Sequence, residues 1–317
     1  MIAYKEFIED NFLIINKKGE IVPFKLNDTQ NYYYNLLLAD YPDLQGVREN
    51  ILKFRQPGFS SLIDAIFTVD FIFAEHGKTP LVDADIVSHK EKETKVLFKR
   101  VDFFLDSYLE KQHINRKLFL ETDTGLQIVG RRGAVINVQT GNAKVSGRGG
   151  TKQNLHWSEV AFYPNTEILS AEDLVTAAEQ QVADGIGKIF RESTGNIAGD
   201  FFASEYERGK AGEGEFKSRF LSWWIHKEYS LTPPDDWRPT PDYKKLMDDN
   251  KASRDQCYWH FKKVLNSKNE AKIRREYPMD DTEAFLMGGD MYFNAEVIKM
   301  WHIGNIKKPI TDKPIYV

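Results

Sequence analysis

The stretch "ENILKFRQPGFSSLIDAIF", residues 49–67, constrains the chain more than any other. An apolar run reads as a strand, "RQPGFS" as a turn, and "SLIDAIFTVDFIFAEH" as a helix, which is the strand, loop and helix order of a phosphate-binding unit. Such a unit needs backbone N–H groups at a helix start, a glycine that lets the chain come close, a cation, and a hydroxyl for magnesium. Gly58 supplies the close approach and Ser60 or Ser61 the hydroxyl. Where the usual loop has lysine after its last glycine, this chain has Phe59, and the available cations are Lys53 and Arg55 at the loop's start. A strand lysine can still reach phosphates on its four-carbon stem, but a plain surface turn fits the same residues.

The flanking segments extend the pattern. "TQNYYYNLLLADYP" reads as a helix ending before Pro42, "TPLVDADIVSH" as a buried strand, and "KEKETKVLFKRVDFFLDSYLEK" as a helix with one apolar face. Between 117 and 163, "KLFLET", "GLQIVG", "AVINVQT" and "NLHWSEVAF" read as short strands, then "AEDLVTAAEQQVA" as a helix and "GKIFREST" as another strand. Strands alternating with helices predict an α/β fold with a mostly parallel sheet and any ligand at the strands' carboxyl ends. After the Pro-rich "LTPPDDWRPTPDY" the texture turns helical, so a core over 1–225 and a smaller helical subdomain over 226–317 are expected.

Two further strand ends carry polar chemistry. In "NLHWSEVAFYP", Glu159 suits a carboxylate that orients and polarises an attacking water, while its neighbour Ser158 stands where an Asp is usual. A half-buried strand with a capping Ser and Glu is the plainer alternative. In "IFRESTGN", Glu192, Ser193 and Thr194 can sense a γ-phosphate or simply cap a turn.

Composition sets limits on partners. Lys plus Arg number 43 against 47 Asp plus Glu, a net charge of −4, so a polyanion would have to meet a local basic surface. The single Cys257 excludes an internal disulfide and a thiolate metal framework, and suits a reducing cytoplasm. The seven histidines show no helical zinc spacing. The acidic, mixed amino terminus is unlike a signal peptide, and the longest apolar run, carrying Asp64 and Asp70, is too short to span a bilayer; no membrane partner is expected.

The series "LKFRQPGFSS", "GRGGTKQNLHWSEVAF", "RESTGN", "WWIHKEY" and "REYPMDDTEAFLMGGDMYF" resembles the large subunit of tailed-phage DNA-packaging terminases, over about residues 24–293. The resemblance implies a RecA/ASCE-like P-loop NTPase with a helical lid or linker subdomain. In that family the phosphate loop is often rearranged, with its lysine at the start. It implies that Lys53, Arg55 and Gln56 contact phosphates, Gly58 gives close approach, and Ser60, Ser61 and Ser158 serve magnesium, in part through water. Glu159 in "HWSE" becomes the catalytic carboxylate, Glu192-Ser193-Thr194 the coupling motif, and Gln30 in "PFKLNDTQ" the adenine reader. Arg148 matches an arginine that reaches a neighbouring subunit's nucleotide, with Arg131 and Arg132 as competitors.

The expected function is that of an ATPase motor using ATP and magnesium to drive double-stranded DNA into a procapsid. Its implied partners are the DNA backbone, a portal protein, a small terminase subunit and further copies in a ring, in the host bacterial cytoplasm at the portal. A helicase and a non-catalytic scaffold are the alternatives. About two dozen residues follow 293, too few for the family's nuclease domain, so no nuclease activity is expected.

Overall fold

The computed structural model describes residues 2–141, 151–164, 170–249 and 251–286. The chain opens with helix α1 (Tyr4–Asn11), a hairpin of β1 (Leu13–Ile15) and β2 (Ile21–Pro23), and helix α2 (Asp28–Asp40). Alternating units follow: β3 (Arg48–Lys53), α3 (Phe59–Glu75), β4 (Asp83–Ser88) and α4 (Glu91–Lys111). A helical turn, α5 (Arg116–Phe119), leads into β5 (Leu120–Asp123), β6 (Gln127–Gly130), β7 (Val135–Thr140) and β8 (Asn154–Ser158). Then come α6 (Ala171–Glu179), β9 (Lys188–Ser193), α7 (Phe201–Lys210) and β10 (Lys217–Leu221). Helices α8 (Pro241–Asp248), α9 (Arg254–Leu265), α10 (Glu270–Glu276) and α11 (Asp281–Leu286) complete the described chain.

Eight strands form one sheet in the order β10-β3-β9-β8-β4-β7-β6-β5. The first six are mutually parallel and β6 and β5 are antiparallel to their neighbours, so the mostly parallel α/β sheet expected from the alternation is present. Because successive strand residues point to opposite faces, the parallel strands β3, β4 and β9 each feed two cores. Ile51, Ile86 and Phe190 pack under α1 to α4, while their neighbours Leu52, Val87 and Ile189 pack under α6 and α7. Helix α3, buried along nearly its whole length, lies in the first of these layers.

A third cluster gathers Trp223, Trp237, Tyr243, Leu246, Cys257 and Tyr277 around α8 to α10. It includes Phe54, the residue after Lys53, so the loop that follows β3 begins inside this cluster. Trp223 joins it three residues ahead of the expected boundary at 226. Burial raises the Cys257 thiol to about 11, which leaves it an inert packing group.

Local details depart from the sequence reading. "KLFLET" is half helical turn and half strand, and "VAF" is a 3-10 turn (Val160–Phe162), because the chain must bend sharply after Ser158. No helix among the described residues is long and apolar enough to cross a membrane.

Candidate nucleotide site

The carboxyl ends of β3, β4, β8 and β9 open into a cleft of about 1570 Å³. Its floor is the loop from Arg55 to Gly58 and the start of α3, and its walls are the β1–β2 hairpin, the start of α4 and helix α10. The amino terminus of α3 has no side-chain cap, leaving its first N–H groups for an anion.

Helix α2 shapes the loop from behind. Asn27 and Gln30 form a capping box, in which Asn27 Oδ1 accepts from the Gln30 N–H at 2.9 Å and Gln30 Oε1 accepts from the Asn27 N–H at 3.0 Å. Their amides then hold the loop's carbonyls: Asn27 Nδ2 donates to Pro57 O at 3.1 Å and Gln30 Nε2 to Gly58 O at 2.7 Å. Gln30 is thus a buried brace of the loop, with one N–H and one lone pair left over. Gly58 has φ +83°, and a Cβ there would stand 2.8 Å from Gln30 Nε2, so conformation and space both require glycine. Gln56, at φ 60°, and Glu159, at φ 56°, hold the left-handed conformation without being glycine. Such strain is costly and concentrates where a side chain must be aimed.

Lys53, at the end of β3, turns into the cleft floor between two carboxylates. Its Nζ is 2.7 Å from Glu159 Oε1 and 3.0 Å from Glu192 Oε2. Burial favours a neutral amine, but the two carboxylates outweigh it and hold the ammonium above its ordinary range. Glu159 Oε2 lies 3.2 Å from the Thr194 N–H, 3.3 Å from Ser193 Oγ and 3.4 Å from Thr194 Oγ1, all positioned to donate. The water-orienting candidate is therefore held by the lysine on one oxygen and by the end of β9 on the other.

Beneath them, Glu192 has no exposed surface. Its Oε1 accepts from Ser60 Oγ at 2.6 Å and Ser158 Oγ at 2.8 Å, and His156 Nε2 lies 3.4 Å away. Burial works against its charge, yet Lys53, His156 and Ser60 hold the carboxyl well below the usual range. His156 Nδ1 is 3.0 Å from Asp64 Oδ1, and Asp64 Oδ2 is 2.8 Å from an Arg100 nitrogen. Burial lowers the His156 pKa, but Asp64 and Glu192 together raise it above the ordinary 6.5.

The loop's second cation faces the helical subdomain. Arg55 donates through its guanidinium to Glu276 Oε1 at 2.5 Å and through its backbone N–H to Glu276 O at 2.9 Å. Gly195, just after the 192–194 strand end, approaches α11 so closely that a Cβ would stand 2.1 Å from Ala284 O.

Lys53, Arg55, Gln56, Gly58, Ser60, Ser61, Glu159, Thr194 and Gln30 therefore all line this cleft, with Ser158, Glu192 and Ser193 hydrogen-bonded beneath it. Arg148 lies outside the described residues. Arg131 and Arg132 sit in the β6–β7 turn, at the amino-terminal end of the parallel strands and so away from the cleft; Arg131 is ion-paired with Glu121. Sequence reading missed Lys17 and Lys18 in the hairpin and His89 after β4, and it reads Lys90, in "KEKETKVLFKR", and Lys272 and Arg275, in "KNEAKIRR", as solvated helix faces or DNA-facing basic surface, whereas all of them line the cleft. It also missed His156 and Asp64, although a carboxylate inside the apolar run of α3 was a legible sign of a buried partner.

No cluster of three or more His, Cys, Asp or Glu among the described residues is arranged to hold a metal. The donors present, Ser60 and Ser61 hydroxyls beside a buried carboxylate, suit a magnesium ion carried largely by nucleotide phosphates and water.

No protein-family model matches the chain, and no curated protein sequence matches it. Solved structures do. The crystal structure of the HK97 bacteriophage large terminase superposes with a TM-score of 0.56 at 14% identity, covering 89% of this chain and 55% of that one. The large terminase ATPase domain of Thermus phage P74-26 gives 0.45 at 14% identity over 79% of this chain and 97% of that one. The large terminase of the thermophilic bacteriophage D6E in complex with ADP gives 0.38 at 12% identity over 74% of this chain and 46% of that one. The chain spans about half the length of the HK97 protein. Its fold is the one found in phage large terminases.

Proposed function

We propose that this chain is the ATP-hydrolysing motor portion of a terminase large subunit, which uses ATP to drive double-stranded DNA into a procapsid. The observation that carries the reading is Lys53, placed by β3 within 3.0 Å of both Glu159 and Glu192 at the mouth of an uncapped helix. Cation, water-orienting carboxylate, phosphate-facing N–H groups and metal-directed hydroxyls converge at the carboxyl ends of adjacent parallel strands, where such folds bind ligands.

Lys53 and Arg55 would exchange their carboxylate partners for the phosphates, and the loop from Gln56 to Gly58 would wrap them. Ser60 and Ser61, with Ser158 behind them, would hold the magnesium that neutralises charge across the β- and γ-phosphates. Glu159, released from Lys53, orients a water and takes its proton as the water oxygen bonds to the γ-phosphorus. The bond from that phosphorus to the bridging oxygen breaks, and ADP leaves. Gln30 offers the adenine edge its remaining N–H and lone pair. Ser193 and Thr194, bonded to Glu159 Oε2, pass the change to Gly195 and α11.

In the assembled motor we place the chain in a ring at the portal, in the host cytoplasm, with the small terminase subunit. Arg148 completes the neighbour's site, and DNA is held by its backbone in a salt-dependent way. The test is magnesium-dependent ATP hydrolysis over a range of protein concentrations, for the native chain, Lys53→Ala and Glu159→Ala. Loss in both variants, with a native rate per subunit that climbs with concentration, is expected. Hydrolysis untouched by either change removes this site from the reaction and leaves a scaffold that kept the fold.

A further inference from the structure

Strands β8 and β9 are parallel neighbours, and in their register Ser158 stands directly opposite Glu192. In phosphate-loop ATPases the loop hydroxyl and a strand carboxylate face one another across the metal. At position 158 this chain offers only a hydroxyl. The loop hydroxyl nevertheless has a carboxylate, since Ser60 Oγ donates to Glu192 Oε1 at 2.6 Å. Ser158 Oγ donates to the same oxygen at 2.8 Å.

Glu192 differs from an ordinary buried ion-pair partner in how its oxygens are used. Oε1 collects both hydroxyls, whereas Oε2 accepts no hydrogen bond and has only the Lys53 ammonium, 3.0 Å away. In the proposed reaction Lys53 moves to phosphate, and its departure would leave this buried carboxylate oxygen without a partner directly beneath the cleft. Behind it, His156 Nε2 stands 3.4 Å from Oε1 without a hydrogen bond to it, and His156 is itself held by Asp64, a charged backing of the kind found behind metal-directed groups.

We infer that Glu192 is the metal-directed carboxylate of this site, displaced by one strand from position 158, with Ser60 and Ser158 as its hydroxyl partners around one divalent cation. The inference rests on the reading of the cleft as a magnesium-nucleotide site. It gives the first residue of the coupling segment a second duty, so that metal binding and the movement of β9's end share one side chain.

The experiment moves the carboxylate back. Native chain, Glu192→Gln and the double variant Ser158→Asp/Glu192→Gln are titrated with a fluorescent ADP analogue, with magnesium and with chelator, and Mn²⁺ affinity of the ADP complex is read by electron paramagnetic resonance. Glu192→Gln is expected to lose about 10- to 100-fold in Mn²⁺ affinity while still binding nucleotide in chelator. The double variant is expected to regain most of that loss. Native-like Mn²⁺ affinity in Glu192→Gln, or a double variant no better than the single, overturns the inference. Where Glu192→Gln fails to fold, Glu192→Asp keeps the charge but withdraws it by one methylene. Weakened Mn²⁺ binding is then expected, and unchanged binding overturns the inference. A native chain that binds no nucleotide under any condition removes the proposed function as well; metal-strengthened binding that survives Glu192→Gln removes only the role of Glu192.

Discussion

Two ion-paired regions adjoin the loop after β3, one beneath it and one beside it, and water separates their physics. Beneath runs a string of alternating charge: Arg100, Asp64, His156, Glu192, Lys53 and Glu159, with successive contacts between 2.7 and 3.4 Å. Its four inner members are almost wholly shielded from solvent. Beside the loop, Arg55 is half exposed and meets Glu276 of α10. In the string each charge exists only because its neighbours do, since isolated ions cannot stay ionised in a dry interior. At the rim, water can replace either partner at little cost. The string fixes the geometry of the cleft floor, and the rim contact is exchangeable.

The largest effect is expected where the string is cut. Lys53→Ala leaves Glu192 and Glu159 without their shared cation, and loss of one partner of a buried pair costs about 3–5 kcal/mol. Such a loss is a large part of the roughly 5–15 kcal/mol that holds a domain folded. Thermal or urea unfolding should show a marked loss of stability, and Lys53→Met, which keeps the stem, should still lose nucleotide binding. A Lys53→Ala variant as stable as the native chain would show that the string is as exchangeable as the rim.

Glu159 is the string's outer end, about a quarter exposed, so its removal should cost chemistry more than stability. Glu159→Gln keeps the shape and the contacts to Thr194 but cannot take a proton. Hydrolysis should fall by about 10²- to 10⁴-fold, with ADP binding little changed. A parallel loss of binding would make Glu159 a structural anchor.

The string's middle is a pH sensor of predictable sign. His156 has its pKa raised in the folded state, so its contribution is fully present below the ordinary 6.5 and is lost as pH climbs through the folded value. Glu192 is depressed, so its contribution is present above the ordinary 4.5 and is lost as pH falls through the folded value. The stability advantage of the native chain over His156→Gln should therefore shrink from neutral towards alkaline pH, by at most about 1.4 kcal/mol per pH unit inside that window. An advantage that stays constant from pH 6 to pH 10 would mean the histidine is neutral throughout.

The same contrast separates what the sequence disclosed from what it hid. The strand, loop and helix of 49–75 were legible because they are contiguous and their apolar periods differ. Glu159 and the 192–194 segment were legible as polar strand ends. The string was not, because Lys53 meets partners 106 and 139 residues away, and His156 meets one 92 residues back. In a parallel sheet neighbours in space come from crossovers, so β9 lies beside β3 without any local sign of it. Edge strand β10 escaped because only its last residue, Leu221, is fully buried, which erases the apolar run of an inner strand. Helix α1 escaped because its eight residues make barely two turns, too short a window for an apolar face to repeat.

The smallest effect belongs to the rim, and its sign is the informative part. Glu276 neutralises the loop's second cation, so in the proposed site a nucleotide would first have to take Arg55 from it. Glu276→Gln should free the guanidinium and tighten ADP binding, whereas Arg55→Ala should weaken it. Each change is expected to be within about 1 kcal/mol, or fivefold, because the pair is half exposed and screened by water. The backbone bond from the Arg55 N–H to Glu276 O survives both substitutions, so α10 stays docked and stability should hardly move. Opposite signs in the two variants would identify α10 as a competitor for the loop, which closing nucleotide displaces. Weaker binding in both would instead make Glu276 the residue that aims Arg55, and the rim would then obey the same rule as the buried string.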